Sequence, residues 1–105
     1  MATIIYNKLI RDNIPEIIES KGKKASIEIL NDTDYILKLN EKLQEELDEY
    51  KSDNSVEELA DLVEVVYGIL KYKNVSIEEF ENIRKEKADK RGVFDKRLLL
   101  KEVIE

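Results

Sequence analysis

The sequence predicts an all-α domain: a helical hairpin at its centre, short extended arms at both ends, and apolar faces completed by oligomerisation. Three observations point there. Charged residues make up 40% of the 105 positions and Trp, Cys and His are absent, a composition suited to helices with solvated outer faces. Apolar residues recur at helical spacing from about Asp34 to Lys51 and again from about Val56 to Lys73. Between these stretches lies Ser52-Asp53-Asn54-Ser55, a loop tight enough to return the second helix antiparallel to the first.

The elements follow in order. Residues 2–6 read as a short extended segment. Asn13 is placed to cap a helix beginning at Ile14-Pro15, where proline's missing N–H costs nothing, and Gly22 stops it after about Lys21. Residues 25–30 alternate weakly, as a strand or an extended arm would. The turn Asn31-Asp32-Thr33-Asp34 caps the next helix, which carries Ile36, Leu39, Leu43, Leu47 and Tyr50 on one stripe. Ser55, with Glu58 three residues on, resembles a capping box for the following helix. That helix has an apolar arc too wide for a single partner, so a homodimer or homotetramer is expected. Ser76 starts a last helix, from Ile77 to about Lys90, which ends at Gly92; residues 97–104 form an extended C-terminal arm.

Composition removes several chemistries at once. Without Cys or His there are no disulfides, thiolate nucleophiles, zinc sites or imidazole acid–base catalysis. No apolar run approaches the roughly 18 residues of a membrane span, and the first residues do not read as a signal peptide, so a soluble cytoplasmic protein is expected. Net charge is −6 but unevenly spread: residues 41–64 carry ten acids and two bases, a net of −8, whereas residues 84–101 carry eight bases and three acids, a net of +5. The acidity and the lack of a basic stripe interleaved with aromatics speak against nucleic-acid binding.

The acids of the hairpin are arranged in two pairs of the same spacing, Glu46/Glu49 and Glu58/Asp61. Residues three apart share a helix face, so each pair is a two-carboxylate claw. Two claws on adjacent helices place four oxygen-bearing groups together, as a hard divalent cation requires. Acidic residues on helices are more often solvated surface, but these border the apolar seam. Glu58 lies inside the apolar arc of its helix and Asp61 at its edge, where a carboxylate is costly unless paired or metal-bound. Two basic segments are candidates for phosphate oxygens, Lys87, Lys90 and Arg91 near the late Gly92 and Lys8 and Arg11 near the start. A solvated surface is the plainer reading of each one alone.

Taken together the residues resemble a family. Tyr6-Asn7-Lys8-Leu9-Ile10-Arg11-Asp12-Asn13-Ile14-Pro15-Glu16-Ile17-Ile18, the two acidic motifs, and Lys90-Arg91-Gly92-Val93-Phe94-Asp95-Lys96-Arg97 stand in order along nearly the whole chain. In this the sequence is similar to the MazG-like, all-α nucleoside triphosphate pyrophosphohydrolases, especially the small single-domain branch described as predicted house-cleaning enzymes. The resemblance implies one domain over residues 1–105 that splits a nucleoside triphosphate into monophosphate and pyrophosphate. It implies Mg²⁺, with Mn²⁺ as a substitute, held by Glu46, Glu49, Glu58 and Asp61. By resemblance and charge, Lys8, Arg11, Lys87, Lys90 and Arg91 contact the triphosphate. The chain departs from the family's pattern in the short stretch between its acidic pairs, residues 50–57, and in Val93 where a second Gly is usual.

With no His, the base for the attacking water is a carboxylate or a metal-activated water, and the carboxylate candidates are Glu45 and Glu49. Three other readings compete. A phosphoribosyl-ATP pyrophosphohydrolase shares the acidic pairs but is not expected to carry the Asn7-to-Asp12 opening. A helical oligomerisation or adaptor module has no catalysis, and a nucleotide sensor binds without turnover.

Overall fold

Residues 2–105 of the computed structural model are described. They form four helices, α1 (Ile14–Ser20), α2 (Asp32–Asp53), α3 (Val56–Tyr72) and α4 (Ile77–Arg91), and no strand. Residues 25–30 carry no regular structure, so their weak alternation marks an arm rather than a strand.

Side-chain caps set three of the helix starts. Asn31 accepts from the backbone of Asp34 at 2.8 Å, Ser55 from that of Glu58 at 3.3 Å, and Ser76 from that of Glu79 at 3.1 Å. The Asn31 cap corrects the expected start of α2, which begins at Asp32 because the cap lies one residue earlier and Asp32 and Asp34 occupy the favourable first turn. Asn13 is the exception: it sits at the start of α1 with helical backbone angles and no side-chain cap. Pro15 and the backbone bond from Ile17 N–H to Asn13 C=O organise that end instead.

The connection between α2 and α3 is shorter than the four residues expected, because Ser52 and Asp53 extend α2. Asn54 ends α2 in the left-handed region at φ 57°, its N–H donating to Tyr50 C=O, and Ser55 immediately caps α3. The turn makes the helices antiparallel and in register over their length. Tyr35 meets Tyr72 edge to face at the open end, ring centroids 6.1 Å apart. Leu39 packs over Gly68, where an added Cβ would lie 3.2 Å from Leu39 Cδ2. Near the closed end Glu46 faces Glu58 and Asp61.

Little apolar surface is sealed within this single chain. Leu39, Val65 and Leu70 are the buried hydrophobic residues described. Accessible surface is 9964 Å², against about 6,100 Å² for a compact protein of this mass. The radius of gyration is 18.6 Å and the longest dimension 65 Å, where a compact chain of this length has a radius near 13 Å, roughly. α4 makes no contact with α2 and touches α3 lightly. Beyond it, residues 92–105 are exposed throughout. Among the described residues no helix is long and apolar enough to cross a membrane.

Candidate metal centre

The antiparallel register of α2 and α3 decides which acids meet. Glu46 leaves the shoulder of the α2 stripe, and Glu58 and Asp61 leave the first two turns of α3. One carboxylate oxygen from each lies within 4.8 Å of the others. Glu46 is the most enclosed, only 6% exposed, while Glu58 and Asp61 are half-buried. The sequence alone places Glu58 deepest; in the structure it is Glu46, because α3 packs across that shoulder of α2. Glu49, the fourth acid of the two claws, is exposed beside Glu58 and lies outside the three-oxygen cluster.

Two oxygens in this cluster, Glu46 Oε2 and Glu58 Oε2, are buried without a hydrogen-bond partner. Such orphaned acceptors are costly. Burial is the first cause that pushes the Glu46 carboxyl above its usual range; Lys42 opposes it, while Glu49 and Asp61 add to it. Burial likewise raises Glu58, followed by a hydrogen-bonding contact and the charge of Glu49, then the charges of Asp61 and Asp53. All donors here are carboxylate oxygens, two of them unsatisfied. A hard divalent cation fits that set and would relieve both the repulsion and the orphaned acceptors.

The N-terminal segment crosses the rim. Lys38 Nζ on α2 donates to Asn7 C=O at 3.3 Å, Lys8 Nζ donates to Glu45 Oε1 at 2.8 Å, and Arg11 Nη2 donates to Asp61 Oδ1 on α3 at 2.7 Å. Residues 7–11 therefore reach from one helix to the other above the carboxylates. The hydrogen bond from Lys8 holds the Glu45 carboxyl below its usual range, with Lys42 adding to the effect. The same bond raises the Lys8 ammonium.

Lys42 is a site residue that the sequence reading passed over. It lies 3.2 Å from Glu45 and 3.4 Å from Glu46. Its spacing was the signal, one turn before both acids on the same face. Lys87, Lys90 and Arg91 are not brought to the cluster within the chain. They line an exposed concavity of α4 with Ile83 and Glu86, and Lys90 pairs with Glu86 at 3.4 Å.

Comparison with protein-family models, curated proteins and solved structures returned no match. The functional reading therefore rests on the site and on the sequence motifs.

Proposed function

We propose that this chain is a Mg²⁺-dependent nucleoside triphosphate pyrophosphohydrolase of the MazG-like kind, releasing pyrophosphate and a nucleoside monophosphate and working as a dimer or larger assembly. The observation that carries this reading is the convergence of Glu46, Glu58 and Asp61 from two helices, with two of their oxygens buried and unsatisfied. The opening motif supplies the second half of the argument, because its Lys8 and Arg11 stand at the rim where an anionic ligand would approach.

Glu46, Glu58 and Asp61 would hold the ion, with Glu49 near enough to join them. When bound, Mg²⁺ neutralises phosphate charge and helps polarise the phosphorus under attack. Arg11 has a planar guanidinium suited to two phosphate oxygens, and Lys8 a point charge beside it. An incoming triphosphate competes with Asp61 and Glu45 for these two cations. Glu49 is the better placed general base for the attacking water. Glu45, held low by Lys8 and Lys42, takes up a proton less readily and serves to position Lys8.

The test is pyrophosphate release from a panel of ribo-, deoxy- and oxidised nucleoside triphosphates, with Mg²⁺ and with EDTA, beside Glu58→Ala. Mg²⁺-dependent release that the variant loses while keeping its helicity is expected. No release from any nucleotide, with Mg²⁺ binding also undetectable by calorimetry, would leave the adaptor reading in its place.

A further inference from the structure

The segment that crosses the carboxylates is fastened unequally at its two ends. On the α2 side two bonds hold it, Lys38 Nζ to Asn7 C=O at 3.3 Å and Lys8 Nζ to Glu45 Oε1 at 2.8 Å. Neither Lys38 nor Glu45 belongs to the three-oxygen cluster. On the α3 side, among the described residues, one bond holds it, Arg11 Nη2 to Asp61 Oδ1 at 2.7 Å, and Asp61 is a member of the cluster. Packing adds little: Leu9 is half-buried, whereas Asn7, Lys8, Ile10 and Arg11 are exposed. α1 follows at once, its Ile14 N–H donating to Arg11 C=O at 3.1 Å, and it packs against no other helix among the described residues. α1 therefore moves with Arg11.

We propose that residues 7–11 are a gate over the cluster, hinged on α2 and latched on α3, which a divalent cation opens by taking Asp61 from Arg11 and a triphosphate closes again. This rests on the metal reading of the proposed function. The latch is a single contact between side chains 56% and 43% exposed, and pairs so open to water are individually weak. A cation drawing on Glu46, Glu58 and Asp61 gains several oxygens where Arg11 loses one. Its charge also repels a guanidinium bonded to one of its own ligands. The hinge bonds end on residues outside the cluster, so the segment swings without leaving. Asn7 supplies the bend there, with its backbone in the left-handed region at φ 48°. Closing again needs new anions for Arg11 and Lys8, which phosphate oxygens supply. The gate stands open for the cation alone and shuts over the cation with its triphosphate.

Because the chain has no cysteine, spin labels on introduced cysteine pairs report the two ends separately. Glu16→Cys/Glu64→Cys spans the latch, from α1 to α3, and Tyr6→Cys/Asn40→Cys spans the hinge, all at exposed positions. Labelled chains diluted into unlabelled ones keep each distance within one copy. Pulsed dipolar spectroscopy would compare EDTA, saturating Mg²⁺, and Mg²⁺ with a non-hydrolysable triphosphate. In Mg²⁺ the ratio of open to closed latch distances is expected to rise about fivefold or more, the usual scale of coupling between a ligand and a conformational equilibrium. The hinge distance should not change, the triphosphate should restore the closed latch, and Arg11→Gln should open the latch in EDTA. Calorimetry on the same samples separates this inference from the metal reading. Mg²⁺ that binds without opening the latch, or that moves hinge and latch alike, overturns the gate and leaves the metal site standing. A latch indifferent to Arg11→Gln, or left open by the triphosphate, also overturns it. Absence of Mg²⁺ binding overturns both.

Discussion

Arg11 donates to Asp61 at 2.7 Å, so the N-terminal segment is tied to one of the three carboxylates that converge between α2 and α3. A guanidinium and a divalent cation cannot both satisfy that oxygen in the same way. Arg11→Gln should therefore bind Mg²⁺ alone more tightly, by up to about fivefold, the worth of a partly exposed ion pair. The same variant should bind the Mg²⁺–triphosphate complex more weakly, because the phosphate loses its planar partner. Calorimetric titration with Mg²⁺, then with a non-hydrolysable triphosphate, reads both; equal affinities in variant and wild type would remove Arg11 from the site.

Glu46 and Glu58 should carry the response to metal. With Mg²⁺ at about ten times its Kd, a protein that binds it only when folded gains roughly 1.4 kcal/mol, which for a chain of this size raises Tm by about 5–10 °C. Glu46→Ala and Glu58→Ala should abolish that rise. Without Mg²⁺ Glu58→Ala should melt no lower than the wild type, since it removes a crowded charge. Scanning calorimetry with and without the ion checks the pair of outcomes.

Protonation should act on the metal-free chain in a defined direction. Carboxyls raised in the fold hold protons more tightly there than in the unfolded chain, so Glu46 and Glu58 favour folding at mildly acid pH. That advantage is lost as pH climbs through their raised values. Glu45 runs the other way: its contribution is full above the ordinary carboxylate range and fades as pH falls through its lowered value. Metal-free stability should thus peak just above the ordinary carboxylate range and decline toward neutrality, and Glu46→Gln/Glu58→Gln should flatten the decline. Mg²⁺ affinity should rise over the same interval, because the ion displaces protons. Thermal melts across pH 4 to 8, roughly the interval in which raised carboxyls titrate, would show a monotonic rise instead if the burial of these groups is wrong.

Leu39→Ala tests the helix pair itself. Leu39 is 4% exposed and lies against Gly68. Its truncation should cost about 2–4 kcal/mol, a large share of what so small a buried core supplies, and should loosen the site by separating α2 from α3. Urea unfolding followed by far-UV circular dichroism measures the loss.

Helix content and most helix ends were legible because they depend on neighbours in sequence. Asn54, Ser55, Ser76 and Gly92 act through bonds to residues three or four positions away, and their residue types announce it. Asn13 was misleading for the same reason: a capping residue type is no bond, and Pro15 and backbone contacts organise that helix start instead. The helix positions put Glu58 inside the apolar arc of α3 and all four acids close to the apolar seam. The relative depth of Glu46 and Glu58 was not legible, since it depends on how α3 packs against α2, where Glu46 becomes the buried one.

The sequence by itself determined the four helices, the tight return between α2 and α3, and the acidic and basic halves of the chain. Tertiary structure decided that Glu46, Glu58 and Asp61 form the cluster with Glu49 beside it, that Lys8 and Arg11 lie across its rim, and that Lys87, Lys90 and Arg91 stay away from it within one chain. The physical reason is range. Helix formation and capping are settled within one turn of chain. A carboxylate cluster forms only where packing aligns residues twelve to fifteen positions apart, and the strap over it spans 37 and 50 positions.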